Sequence, residues 1–189
     1  MANLTAIYDA SVLYPAPLRD LLMQLALSDL YRAHWTSEIH DEWIRNLLED
    51  RPDLTIQQLQ RTRELMDASV RDCLVENFSA LIPSLHLPDP HDRHVLAAGI
   101  VAKADVIVTC DLKDFPRENL DAYGIEAQHP DKFISHLIEQ APENVYSAVA
   151  AVRARLRSPP ISVTKYIDIL ESQSLPHAAQ ALRAVEARI

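Results

Sequence analysis

Leu87-Pro88-Asp89-Pro90-His91-Asp92-Arg93-His94-Val95-Leu96-Ala97-Ala98-Gly99-Ile100 and, after a short turn, Val106-Ile107-Val108-Thr109-Cys110-Asp111-Leu112-Lys113-Asp114-Phe115 read as a capped helix followed by a buried strand. Asp89 suits an N-cap, Pro90 the first helical position and Asp92 the third. Val95, Leu96, Gly99 and Ile100 recur at helical spacing and make one apolar face. Ala104-Asp105 turns the chain into a β-branched run of the kind buried in parallel sheets. Asp111 and Asp114 follow at once. Taken singly, each of these acids is adequately explained as a cap or a turn residue. A functional reading requires that the fold bring further acids to the same place.

Working outward, Leu4 to Tyr8 forms a first strand that ends in Asp9-Ala10-Ser11. Pro15 and Pro17 then introduce a helix with a stripe of Leu18, Leu21, Leu22 and Leu25. Tyr31 to Trp35 is a short second strand. Thr36 or Ser37 caps a helix from about Glu38 to Glu49, with Ile39, Trp43 and Leu47 along one side and Glu38, Glu42 and Arg45 on a neighbouring face. Thr55-Ile56-Gln57-Gln58 has the form of a capping box opening a helix to about Ala68. Cys73-Leu74-Val75 is expected to be a third strand, and Gly124 to Ala127 a last one before a helix that starts at Pro130. From Ala141 the chain turns alanine- and valine-rich, with three helices and no strand pattern. These features predict an α/β domain over 1–140 and an all-helical extension over 141–189.

Composition narrows the function. Among 189 residues there are two glycines, Gly99 and Gly124, too few for a glycine-rich phosphate loop. The net charge of -9 argues against a protein that coats nucleic acid non-specifically, and it suits one that collects divalent cations. Cys73 and Cys110 have neither zinc-type spacing nor the look of a disulfide framework. The amino-terminal residues do not resemble a secretory leader, and no stretch is long and apolar enough to span a bilayer, so a cytoplasmic location is expected.

Alternating strands and helices imply a parallel sheet with right-handed crossovers. If the first strand and Val106–Thr109 are neighbours, Asp9 and Asp111 meet at one crevice, and Asp92 and Glu42 reach it from helices. Such a set of carboxylates needs a cation, and hard divalent ions such as Mg²⁺ or Mn²⁺ match oxygen donors.

Four stretches carry a resemblance: Ile7-Tyr8-Asp9-Ala10-Ser11, Thr36-Ser37-Glu38-Ile39-His40-Asp41-Glu42-Trp43, Asp92-Arg93-His94-Val95-Leu96-Ala97-Ala98 and Val108-Thr109-Cys110-Asp111-Leu112-Lys113-Asp114-Phe115. In that order they are similar to the motifs of PIN-domain nucleases, most closely the bacterial VapC-like toxins. The resemblance covers most of residues 4 to 140. It implies a three-layer α/β/α fold with a five-stranded parallel sheet and a Mg²⁺- or Mn²⁺-dependent endoribonuclease. It also implies an RNA substrate, a small antitoxin partner and no membrane, with a homodimer left open. Matched motif by motif, Asp9, Glu42, Asp92 and Asp111 are the catalytic and metal-holding acids, with Asp114 as an additional metal ligand. Ser11 stands where many members have asparagine, and Gly99 where alanine is usual. Cys110 reads as filler, and His91 and His94 flank Asp92 without being expected to bind the metal. The Arg153, Arg155 and Arg157 run is most simply a helix end favoured by the macrodipole. Two other classes fit the same acids: a non-catalytic scaffold that kept the fold, and a structure-specific DNA nuclease.

Overall fold

The computed structural model describes residues 4–189. In chain order the elements are β1 (Thr5–Tyr8), α1 (Ala10–Leu13), α2 (Ala16–Ala26), β2 (Arg32–His34), α3 (Ser37–Asp50), α4 (Ile56–Ser69), α5 (Arg93–Ala102), β3 (Val106–Val108), α6 (Arg117–Leu120), β4 (Glu126–Gln128), α7 (Pro130–Gln140), α8 (Pro142–Arg155), α9 (Val163–Ser172) and α10 (Pro176–Arg183). The contacts cluster into two units. One comprises residues up to Tyr14 together with Tyr31–His129, the other Pro15–Leu30 with Pro130–Ile189. No helix among the described residues is long and apolar enough to cross a membrane.

The first unit holds a parallel sheet of four strands in the order β2-β1-β3-β4. Ala6, Ile7 and Tyr8 of β1 and Ile107 and Val108 of β3 are fully buried, as two-sided burial of central strands requires. The chain leaves β1 towards β2 on one side and reaches β3 on the other, so the strand order reverses between β1 and β3. Ligands of open α/β sheets bind at such a reversal, beyond the strands' carboxyl ends.

The expected fifth strand is a correction. Cys73-Leu74-Val75 makes only one parallel bridge, Leu74 to Trp35, in which Trp35 N–H donates to the Cys73 carbonyl (2.9 Å) and Val75 N–H to the Trp35 carbonyl (2.9 Å). Asp72 (φ 55°) and Asn77 (φ 61°) take left-handed backbone on either side and bend the chain away before a strand can extend. Between β1 and α2, Asp9 caps a short helix, α1, that the sequence reading did not include.

Local signals elsewhere appear where the sequence placed them. Thr36 caps α3 by accepting from Ile39 N–H, and Thr55 and Gln58 form both halves of a capping box on α4. A methyl group built on Gly99 would meet Ile125 Cδ1 at 3.4 Å and Ile7 Cγ2 at 3.5 Å, ordinary contact distances, so alanine would fit there.

In the second unit α7 packs with α8 and α10, and α2 with α8 and α9. Phe133, Ile134, Leu137 and Ile138 supply the buried face of α7, and Leu18, Leu21, Leu22 and Leu25 that of α2. The sequence boundary near residue 141 follows the loss of strand pattern, whereas these apolar faces cluster α7 and α2 with the later helices.

One buried polar network fixes α3, the helix that carries Glu42. His40 is wholly buried; its Nδ1 accepts from Trp43 Nε1–H (3.0 Å), so the proton sits on Nε2 and is donated to Asp67 Oδ1 (2.9 Å). Trp35 Nε1–H donates to the same oxygen (2.8 Å), tying α3, α4 and the end of β2 together. His40→Leu removes the Nδ1 acceptor of Trp43 Nε1–H and one donor from Asp67. The expected loss is about 2–3 kcal/mol, or roughly 4–10 °C in Tm by calorimetry. An unchanged Tm would contradict this role.

Candidate active site

The site is built on Asp9, the first residue after β1. The residue is 5 % exposed, and its carboxylate accepts from groups on both sides of the strand reversal. Oδ1 accepts from Ala10 N–H (2.7 Å); Oδ2 accepts from Ser11 Oγ–H (2.6 Å) and from Thr109 Oγ1–H (2.8 Å). The β1–β3 register pairs Tyr8 with Val108, so the next residues, Asp9 and Thr109, lie side by side. Because each hydroxyl gives its one proton to the carboxylate, its lone pairs are left to accept. Ser11 Oγ takes Cys110 N–H (3.1 Å) and Thr109 Oγ1 takes Asp111 N–H (3.0 Å). The charge of Asp9 thereby orders the loop that carries Asp111.

Asp92 closes a 3₁₀ turn, Pro90–Asp92, whose cap is Asp89, accepting from His91 N–H (2.8 Å). Asp92 occupies the N-cap position of α5 yet makes no capping bond with its side chain, which leaves the carboxyl uncommitted. Burial pushes it up to about 7, with further lifts from the charges of Asp9, Asp89, Asp114 and Glu42. Burial likewise raises Asp9; the bonds from Ser11 and Thr109 oppose this, Glu42 adds to it, and the Ala10 amide opposes it.

Asp9, Glu42, Asp92 and Asp114 therefore lie within one electrostatic neighbourhood. Asp111 is placed differently: it is exposed at the head of the Leu112–Asp114 turn, and its side chain makes no capping bond. Glu42 is partly exposed and faces His94, whose Nε2 is 3.4 Å from Glu42 Oε2 and whose Nδ1 is 3.6 Å from Glu38 Oε2. His91 is exposed. Cys110 is exposed too, and burial of its sulfur pushes the thiol up to about 11.

The donor set suits a hard divalent cation, since it consists of carboxylate oxygens whose mutual repulsion a cation would relieve. Among the described residues no Lys or Arg forms an ion pair with Asp9, Asp92 or Asp111. The oxygens are not drawn in as a finished chelate: no group of three or more ligating side chains stands ready among the described residues.

Thr109 is the functional residue that sequence reasoning passed over. Its signal was a hydroxyl at the end of an otherwise apolar buried strand, but its role depends on the β1–β3 register.

With this geometry in hand, comparison with known proteins is direct. A family model described as PIN domain matches residues 5–113, and a second, described as VapC50 C-terminal domain, matches residues 130–184. A Mycobacterium tuberculosis protein named "Putative ribonuclease VapC50" is 37% identical over 92 residues, covering 49% of this chain and 54% of that protein. The match thus spans about half the length of that curated relative. No solved structure gives a significant match. The chain belongs to the PIN-domain family.

Proposed function

We propose that the chain is a Mg²⁺- or Mn²⁺-dependent endoribonuclease of the VapC-like kind, acting as the toxin of a toxin–antitoxin pair. The observation that carries this reading is the Asp9 carboxylate, buried at the strand reversal beside Asp92 and Glu42, with no ion pair to Asp9 or Asp92 among the described residues. Membership of the PIN family and the relative named as a ribonuclease support RNA as the substrate.

In this reading Asp9, Glu42, Asp92 and Asp111 hold the metal, with Asp114 completing the set. Held there, such an ion would supply charge neutralisation at the phosphodiester and a lowered pKa for water. The protein's own contribution is positional. Ser11, Thr109 and the Ala10 amide hold Asp9 in one orientation, and the same hydroxyls hold the Cys110–Asp111 backbone. Asp92, free of capping duty, has its carboxyl available to the cation.

Purified chain with Mn²⁺ should cleave single-stranded RNA, lose that activity in chelator, and leave DNA of the same sequence intact. Asp9→Asn should lower cleavage at least ~10²-fold, the scale of removing a group that acts in the transition state, with an unchanged circular dichroism spectrum. Cleavage that survives both chelator and Asp9→Asn rejects the assignment; preferential DNA cleavage would favour the DNA nuclease instead.

Thr109→Val keeps the shape of the side chain but removes one donor to Asp9 and the acceptor for Asp111 N–H. RNA cleavage should fall about tenfold, a loss of about 1.4 kcal/mol, mainly in kcat. Wild-type kcat in this variant would show that Thr109 does not position the site.

The raised carboxyl of Asp92 also sets a pH dependence. In metal-free protein the folded chain holds a proton that the unfolded chain, with an ordinary carboxyl, has already released. The contribution of Asp92 to stability is therefore fully present below about pH 4 and is lost as pH rises through about 7. After discounting for solvent screening of a half-buried group, the loss is roughly 1–2 kcal/mol, or about 3–6 °C in Tm. Melting curves in chelator at stepped pH should show the decline in wild type and a flatter profile in Asp92→Asn. Equal slopes in the two proteins would place the effect elsewhere.

A further inference from the structure

The two units differ sharply in charge. In the second unit 8 Lys and Arg balance 8 Asp and Glu, so the whole net charge of -9 resides in the first, with 10 Lys and Arg against 19 Asp and Glu. A unit so acidic repels a polyanion, and an RNA strand needs cationic purchase elsewhere on the chain.

The second unit contains one such place. From Asn144 to Ile167 the sequence has no acid and four cations: Arg153, Arg155, Arg157 and Lys165. Four of the unit's acids are engaged by other bases. Arg183 pairs with Asp168 (2.9 Å) and Glu171 (2.6 Å), Arg188 pairs with Glu143, and His177 with Asp131 (2.6 Å). The three arginines at the end of α8 bond only to neutral oxygens. Arg153 reaches the Ile161 carbonyl (3.4 Å), Arg155 the Gln24 side-chain oxygen (2.7 Å) and Arg157 the Ala154 carbonyl (3.1 Å). Asp20 on α2 is the acid whose charge bears on Arg155, without an ion pair between them. Residues 154–160 are exposed throughout, so Arg155 and Arg157 stand in solvent, and Lys165 is exposed on the first turn of α9. Favourable placement at the carboxyl end of α8 explains why arginine is tolerated there. It does not explain why three guanidiniums and a lysine occur in an acid-free run of an acidic protein.

We propose that this run, centred on Arg153, Arg155, Arg157 and Lys165, binds the phosphate backbone of the RNA strand. The inference rests on the reading of RNA as substrate, but it concerns binding and is separable from cleavage. Its recognition is sequence-independent, because guanidinium and ammonium groups contact phosphate and not base edges.

The test uses the full-length chain carrying Asp9→Asn, in chelator, and a fluorescein-labelled oligouridine of about 20 nucleotides. Fluorescence anisotropy is recorded across a salt series. Replacing Arg153, Arg155 and Arg157 together with Gln should weaken binding about tenfold or more and flatten the slope of log K against log salt by about 2. If that variant does not fold, the exposed pair Arg157→Glu with Lys165→Glu replaces it, with the same expectation. In the metal-loaded protein without the Asp9 change, the arginine variant should raise KM and leave kcat near wild type. Unchanged affinity and salt slope overturn the proposal. So does a run that binds polyglutamate more tightly than oligouridine, which would assign it to an acidic protein partner. Binding of RNA through these residues by a chain that cleaves no RNA would instead reject the nuclease reading and leave this one standing.

Discussion

The structure of the first unit turns on one carboxylate. Asp9 lies where the strand order reverses, and its oxygens are held by two hydroxyls and an amide. The hydroxyls come from α1 and from the residue after β3, so the same bonds that fix Asp9 also fix the start of α1 and the Cys110–Asp111 backbone. Burying a carboxylate is costly unless it is hydrogen-bonded, and these bonds meet much of that cost. They do not remove the repulsion from Glu42 and Asp92, and a cation is the simplest agent that would.

Charge is therefore distributed in two senses. Within the first unit, acids are brought together against their own repulsion. Between the units, the acidic excess stays in the first while the second is balanced and contains an acid-free basic run. A protein that handles a polyanionic strand through an acidic site needs both a divalent ion to invert the local field and a basic surface to hold the strand.

How much of this was legible in the sequence follows from how local each signal was. Thr36 and the Thr55–Gln58 box depend on neighbours in the chain, and each marks the helix start it was expected to mark. Asp89, by contrast, caps a 3₁₀ turn, and the helix expected to begin at Pro90 starts at Arg93 with Asp92 at its N-cap. The adjacency of the first strand and Val106–Val108 was available as a condition, and the β1–β3 pairing meets it. The fifth strand was not legible, because Cys73-Leu74-Val75 has strand composition and only the left-handed residues at 72 and 77 cut it to one bridge. Thr109 was equally hidden, since its partner lies 100 positions away and is reached only through strand register. The clustering of α2 and α7 with the later helices depends on which apolar faces meet, and periodicity identifies a face without naming its partner.

Calorimetric titration with Mn²⁺ tests the central claim most directly, because it reads the cation without requiring a substrate. The account predicts saturable binding to the wild-type chain, weakened at least about tenfold in Asp9→Asn, where about 1.4 kcal/mol corresponds to that factor. Asp92→Asn should weaken it as well. No measurable heat in the wild type, or equal affinity in Asp9→Asn, would contradict the account and leave the carboxylates as structural caps.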